Sequence, residues 1–458
     1  MHAITRRIAR RARTAIGACG LIGSASAALV AGVPRTAAAQ RDSAAATTAT
    51  TPALRLGDAY TELASRNPRV DAARALAAAA NATVRSASLP PDPQVQLGFM
   101  NYALPDLRPM APLGMMQLQI MQMIPLPGKL GLAGDAAQAR SDAAHDRADG
   151  TYWTARTGLT DAFYDLYRLD AQLGVARRTI ALLGDIEQTA QAMYRVGEAS
   201  QPDVLRAQVE IARMTEDTLR MIAMRSGAAA RFNAQLDRTA DSTLGAAVLP
   251  AFPDAAPSLD SLLALAMRDR PVVQAGRADV TAAERQREFA ARNVWPDLAV
   301  GVQLGRRPGG VGNLMGSVMV GASIPVFVHA RQGGARDAAA AMAEMSRADL
   351  RATEADTRAA VLSAYADLLR ARRLTALYRN TVLPQAEAAA TSALASYRVG
   401  HVDFMTVLDD RMTVNTYEQD LHQLESDEGK AWAQLEALVA RPLINANSTA
   451  ARASGGSQ

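Results

Sequence analysis

At 458 residues the chain has the length of roughly three average domains. Aromatics make up only 4% of it and much of its 49% apolar content is alanine, which suits long, closely packed helices rather than a wide core. Six of the 49 basic residues (Arg6, Arg7, Arg10, Arg11, Arg13 and Arg35) fall in residues 1–39, which hold no acid; the remainder carries 43 basic against 45 acidic residues, so no nucleic-acid partner is expected.

The arginines of the first 13 residues precede an apolar stretch over 15–33 and an Ala37-Ala38-Ala39 site before Gln40. That order predicts a secretory signal peptide over 1–39. The competing readings are a retained membrane anchor and lipidation at Cys19, the only cysteine. With one cysteine and five histidines in no ligand-spaced arrangement, no disulfide, no metal site and no cofactor is expected. Residues 40–53 read as a disordered leader.

The body is written twice. Tyr194-Arg195-Val196-Gly197 returns as Tyr397-Arg398-Val399-Gly400, Ile124-Pro125 as Ile324-Pro325, and Phe163-Tyr164-Asp165-Leu166 as Tyr365-Ala366-Asp367-Leu368. The shifts are 203, 200 and 202 residues. A first structural repeat is expected over 54–248 and a second over 258–442. A proline-rich linker (249–257) joins them, and a disordered tail follows at 443–458.

Each copy opens with a helix, over about 56–88 and 258–292, ended by prolines. Period-two segments follow. Val95, Leu97 and Phe99, then Met116, Leu118 and Ile120, alternate with small or polar residues; Leu298, Val300, Val302 and Leu304, then Val318, Val320 and Ala322, do the same. These predict strands over about 94–103, 115–124, 297–305 and 315–324, the length that crosses a bilayer when tilted. A long helix then runs to each Val-Gly turn, carrying in the first copy a heptad seam (Leu159, Leu166, Leu173, Ile180; Ala162, Leu169, Ala176, Leu183). A return helix closes each copy. Four strands cannot close a barrel, and open edges cannot stay in lipid, so several copies must pool their strands.

A duplicated helix–strand–strand–long helix–helix chain with two Tyr-Arg-Val-Gly turns and the segment Ile-Pro-Leu-Pro-Gly-Lys at Ile124 to Lys129 resembles the outer membrane efflux (TolC-like) family. That segment resembles its heavy-metal (cobalt-zinc-cadmium or copper) branch. The resemblance implies a mainly α fold with a β-barrel portion: a homotrimer with a 12-stranded outer-membrane barrel continued by a periplasmic α-helical coiled-coil barrel. It implies a passive exit duct of a tripartite efflux pump, not an enzyme, partnered by outer-membrane lipid, a periplasmic adaptor and an inner-membrane pump. It also implies adaptor contacts at Val196, Gly197, Val399 and Gly400, and a gate using Asp203, Tyr397 and Asp409. Thr406 stands where the family has a second gating aspartate, and Val402 where it has an arginine. The alternatives are a periplasmic coiled-coil scaffold and the duct of a type I secretion system. The methionines around the first hairpin read as flexible apolar filler, and His401 as a surface side chain.

Overall fold

The computed structural model describes residues 53–110, 114–306 and 314–446. The predicted signal peptide, nearly all of the leader and residues 447–458 of the tail lie outside the described residues, as does Cys19.

The opening helix of each copy is two helices, not one. In the first copy α1 (Leu56–Arg66) stops at Asn67 and α2 (Pro68–Ala87) starts at once. A residue before proline is pushed out of the helical region, and Asn67 is extended. Its side chain accepts from the N–H groups of Arg69 and Val70 and donates to the Gln235 carbonyl at 2.7 Å.

The sheet is built from β1 (Gln94–Met100), β4 (Met115–Ile124), β5 (Asp297–Arg306) and β6 (Leu314–Ser323), antiparallel in the order β1-β4-β5-β6. The first strand ends earlier than predicted because Asn101 takes a left-handed conformation, φ 55°. A two-residue ladder follows, β2 (Tyr102–Ala103) with β3 (Arg108–Pro109). Register merges the four alternations. Val95, Leu97 and Phe99 oppose Ile120, Leu118 and Met116, which in turn oppose Val302, Leu304 and Arg306. Leu298, Val300 and Val302 oppose Ala322, Val320 and Val318. One face is therefore mostly apolar from edge to edge, with Arg306 and Gln122 toward its ends.

The first long helix, α3 (Lys129–Arg195), is a single rod of 67 residues, on the order of 100 Å. It returns through α4 (Gln201–Gln235). The second copy repeats the opening as α5 (Leu259–Asp269) and α6 (Pro271–Arg292), divided at Arg270 for the same proline reason. Its long helix is interrupted. A π turn (Val328–Gly333) leads into α7 (Gly334–Leu377), and a second (Tyr378–Val382) separates α7 from α8 (Leu383–Arg398). The helix α9 (Phe404–Val439) returns.

Three cores hold the helices. One gathers α1, α3 and α4 around Phe163, Tyr164 and Phe232. One gathers α5, α7 and α9 around Trp432 and Leu368. The third, around Leu183, Met214, Tyr397 and Phe404, joins α3, α4, α8 and α9 at the end far from the sheet. Ten of the described hydroxyl, amide and other side-chain atoms buried there and elsewhere lack a partner, Tyr397 Oη among them. Among the described residues no helix is long and apolar enough to cross a membrane.

Candidate functional site

Both Val-Gly turns close their helices the same way. Gly197 (φ 82°) donates to Tyr194 and Glu198 donates to Met193 at 2.9 Å; Gly400 (φ 72°) donates to Tyr397 and His401 to Ser396, also at 2.9 Å. Six-to-one bonding around a left-handed glycine is the helix-ending motif that needs this residue type. The valines do not pack behind the turns: Val196 is 71% exposed and Val399 65%. The tip thus presents two apolar side chains to solvent on short, rigid turns.

Of the candidate gate residues, Asp203 lies close enough to Tyr397 for its charge to act there, but the two are not joined. Asp203 accepts from the backbone N–H of Ser200 at 3.1 Å and pairs with its hydroxyl at 2.7 Å, a capping box at the start of α4. Tyr397 is buried, stacked edge-on against Phe404. Burial, with the Asp203 charge adding to it, raises the Tyr397 hydroxyl above its ordinary pKa, and Tyr397 Oη has no hydrogen-bond partner. The expected tyrosine–aspartate link is not formed here; the Asp203 oxygen that bonds does so to its own helix cap. Asp409 is exposed on α9, and among the described residues no ion pair or side-chain hydrogen bond holds it. Thr406 gives its N–H and hydroxyl to Asp403, the cap of α9, and Val402 is partly buried in the tip core. His401 is exposed, as expected.

Further functional positions carried weak sequence signals. Lys129, at the sheet–helix junction, is 3% exposed and pairs with Asp297 at 2.7 Å while donating to the Trp295 carbonyl. Gly128 (φ 90°) lets Arg292 lie against the backbone there. Glu425 on α9 collects Tyr167 of α3 at 2.6 Å, His422 at 3.0 Å and Arg379 of the second π turn at 2.6 Å. Burial pushes its carboxyl up, but those bonds hold it below the usual range. Arg156 and Glu436 form a nearly buried pair at 2.8 Å. Except for His422, one turn from Glu425, such partners lie far apart in sequence, so spacing does not announce them.

A model of the outer membrane efflux protein family matches residues 59–232 and 262–441, one stretch in each half. The chain belongs to the outer membrane efflux protein family. It is accordingly an outer-membrane protein with a long periplasmic helical extension. The cobalt-zinc-cadmium resistance protein CzcC of Cupriavidus metallidurans is 23% identical over 299 residues, 64% of this chain and 69% of CzcC. Among solved structures, the outer-membrane protein VceC of Vibrio cholerae superposes with a TM-score of 0.73 at 18% identity, covering 84% of this chain and 96% of VceC. The outer-membrane channel OprN (TM-score 0.73, 19% identity, 84% and 89% covered) and CusC (0.73, 14%, 85% and 93%) share the fold. Of these solved neighbours of the outer membrane efflux protein, OprN and CusC form membrane channels.

Proposed function

We propose that this chain is the exit duct of a tripartite efflux pump, a passive channel formed by three copies. The observation that carries this reading is the sheet. It has one apolar face and one face of Gln, Gly, Ser and Met, and β1 and β6 each have a strand neighbour on one side only. In lipid such edges must be paired, and β6 of one copy meeting β1 of the next does so. A scaffold has no use for that sheet. Val196-Gly197 and Val399-Gly400 receive the periplasmic adaptor, and an inner-membrane pump loads the duct. The CzcC relative favours heavy-metal ions as cargo over drugs or secreted protein.

At the tip, three Asp409 carboxylates brought toward one axis repel, so a closed mouth holds a cation, a proton or a donor among them. With Thr406 committed to the α9 cap, that ring is single.

Two measurements test the proposal together. Purified protein in planar bilayers should give discrete, cation-preferring conductance, and deletion of the gene should sensitise its host to heavy-metal salts. A preparation that inserts but never conducts sinks the duct.

A further inference from the structure

The two halves of the chain are fastened together where the helices run into the sheet. Lys129, at the start of α3, is buried there, and its ammonium group donates to the Asp297 carboxylate at 2.7 Å and to the Trp295 carbonyl at 2.9 Å. The same carboxylate accepts from the Leu126 N–H at 3.2 Å, and Arg292 lies against Gly128. The junction leaving β4 is thus tied to the junction entering β5.

Each of these junctions has a duplicate in the chain. The shift of 200 that carries Ile124-Pro125 to Ile324-Pro325 carries Gly128 and Lys129 to Val328 and His329. A shift of 203 carries Pro93-Gln94 to Pro296-Asp297, where the second residue of each pair opens a strand, and carries Leu89 to Arg292. The two duplicates cannot meet within one copy. The strands run in the order β1-β4-β5-β6, so Gln94 and the junction that leaves β6 stand at opposite edges. The helices keep the same order, since α3 packs on α2 and α6, and α6 on α3 and α7.

The duplicates match one another as the originals do. Lysine against aspartate becomes His329 against Gln94, a donor against an acceptor, with the exposed Asp92 carboxylate two residues before Gln94. Pro93 keeps Asp92 extended, so Asp92 and Gln94 face one way. Gly128 against Arg292 becomes Val328 against Leu89, an apolar pair. What is covered in the original is bare in the duplicate. Leu126 is partly covered, whereas Val326, at the same place in the second copy of the repeat, is 81% exposed, and His329 is exposed where Lys129 is buried. The helices repeat the contrast. Arg140 and Asp279 belong to the polar seam between α3 and α6, bonded to Gln286 and Arg147; their duplicates Met342 and Leu76 are apolar and more than half exposed.

We propose that the junction between β6 and α7 docks on the junction between α2 and β1 of a second copy, with the His329 imidazole donating to the Gln94 amide oxygen of that copy beside its Asp92 carboxylate, and Val328 covering its Leu89. Two different surfaces then meet head to tail, the arrangement that closes a ring. The contact deepens the duct reading and rests on its pairing of β6 with β1. It also sets the register of that pairing. A slip of one residue would turn every side chain to the wrong face. A slip of two would keep the faces, so alternation alone does not exclude it, but a donor seated on one acceptor does.

The test uses the full chain purified in detergent. Gln94→Cys and His329→Cys combined, treated with a short bis-maleimide, should give covalent two-copy and three-copy bands on a denaturing gel. Either single variant should give two-copy bands at most, and wild type, whose one cysteine is Cys19, should give no three-copy band. Both positions are exposed in the single copy, so the substitutions spare the fold. A second measurement reads the polar pair. His329→Asp, which sets two carboxylates against each other, should lower the temperature at which the three copies separate; His329→Lys should not, and adding Asp92→Lys to His329→Asp should restore the wild-type temperature. A particle of three copies that gives no three-copy band, or that separates equally in His329→Asp and His329→Lys, overturns this contact and leaves the duct. A single-copy mass in detergent and in outer-membrane extracts overturns the three-copy reading itself.

Discussion

The long helix of the first half, α3, is one rod packed by α2, α4, α6 and α9, whereas its counterpart in the second half begins with one π turn, is interrupted by another and is packed by α5, α6 and α9. Met342, Met345 and Leu362 of α7 stay more than half exposed. The rod α3 is thus the more fully covered of the two long helices, while α4 of the same half exposes Leu205, Val209 and Leu219 as α7 does its own apolar residues. Chemistry diverges at equivalent places too. Asn233 and Glu436, 203 residues apart, each fasten the chain that leaves a return helix. Asn233 donates to the Ser242 carbonyl at 2.9 Å, while Glu436 accepts from the Leu443 and Ile444 N–H groups and also takes Arg156. A duplicated fold can therefore keep a fastening and exchange a neutral device for a charged one.

The largest effect should come from breaking the charged version. Arg156→Met leaves a buried carboxylate unpaired, at a cost of about 3–5 kcal/mol. Asn233→Ala gives up neutral hydrogen bonds worth about 1 kcal/mol each. Urea unfolding of the two purified variants should show a much lower midpoint for Arg156→Met. Equal midpoints would mean that charge is not what separates the halves.

The sheet draws on both halves and tests whether they share one apolar face. Leu118→Arg and Val302→Arg should lower outer-membrane yield, since a midplane arginine on the lipid side costs about 2–4 kcal/mol. Gln119→Arg and Gln303→Arg, on the other face, should be tolerated. Similar losses from all four would reverse the assignment of faces.

At the tip the halves are most alike. Gly197→Pro or Gly400→Pro removes an N–H that the turn uses and forbids the positive φ. Either should abolish metal resistance in a complemented strain while assembly persists. Resistance surviving in one variant would show that only one turn matters.

The caps differ modestly. Asp403→Ala should lower the stability of α9 by removing its cap, and it should do so only in a pH window. Thr406 bonding holds the Asp403 carboxyl below its ordinary value. The stabilisation is therefore full above about pH 3.9, the unfolded value, and fades as pH falls through the lower folded one. A cost that persists unchanged in acid would point to packing instead. The smallest change in stability belongs to Tyr397→Phe, whose hydroxyl is already unpartnered. Its unfolding midpoint should stay put. A raised bilayer conductance in the same variant would reveal a further state in which Tyr397 reaches Asp203.

Periodicity made much of this legible. The heptad seam from Leu159 to Leu183 is buried apart from the half-exposed Ile180, and the alternation in the strands became one face as soon as register was known. The break at Asn67-Pro68 was written in the sequence too, as a residue before proline, but helical composition on both sides masks it. Lys129–Asp297 and the pairing of Glu425 with Tyr167 and Arg379 were not legible, because each joins segments distant in the chain; only His422 sits one turn from Glu425 on the same helix. Which partner Asp203 takes was not legible either: Ser200 is three residues away and holds it, while Tyr397 must reach across helices.

The two π turns also record how the duplicated gene drifted. Ile124 and Ile324 lie 200 residues apart, Leu166 and Leu368 lie 202 apart, and Tyr194 and Tyr397 lie 203 apart. The second copy has gained two residues across the interval holding Val328–Gly333 and one across the interval holding Tyr378–Val382. A residue inserted into a regular helix rotates everything beyond it by about 100° and would swing the Val399 turn off its bearing. A π turn takes up one extra residue locally. Each π turn can thus absorb one residue of the difference without turning the helix beyond it, and the second residue in the first interval falls outside that account.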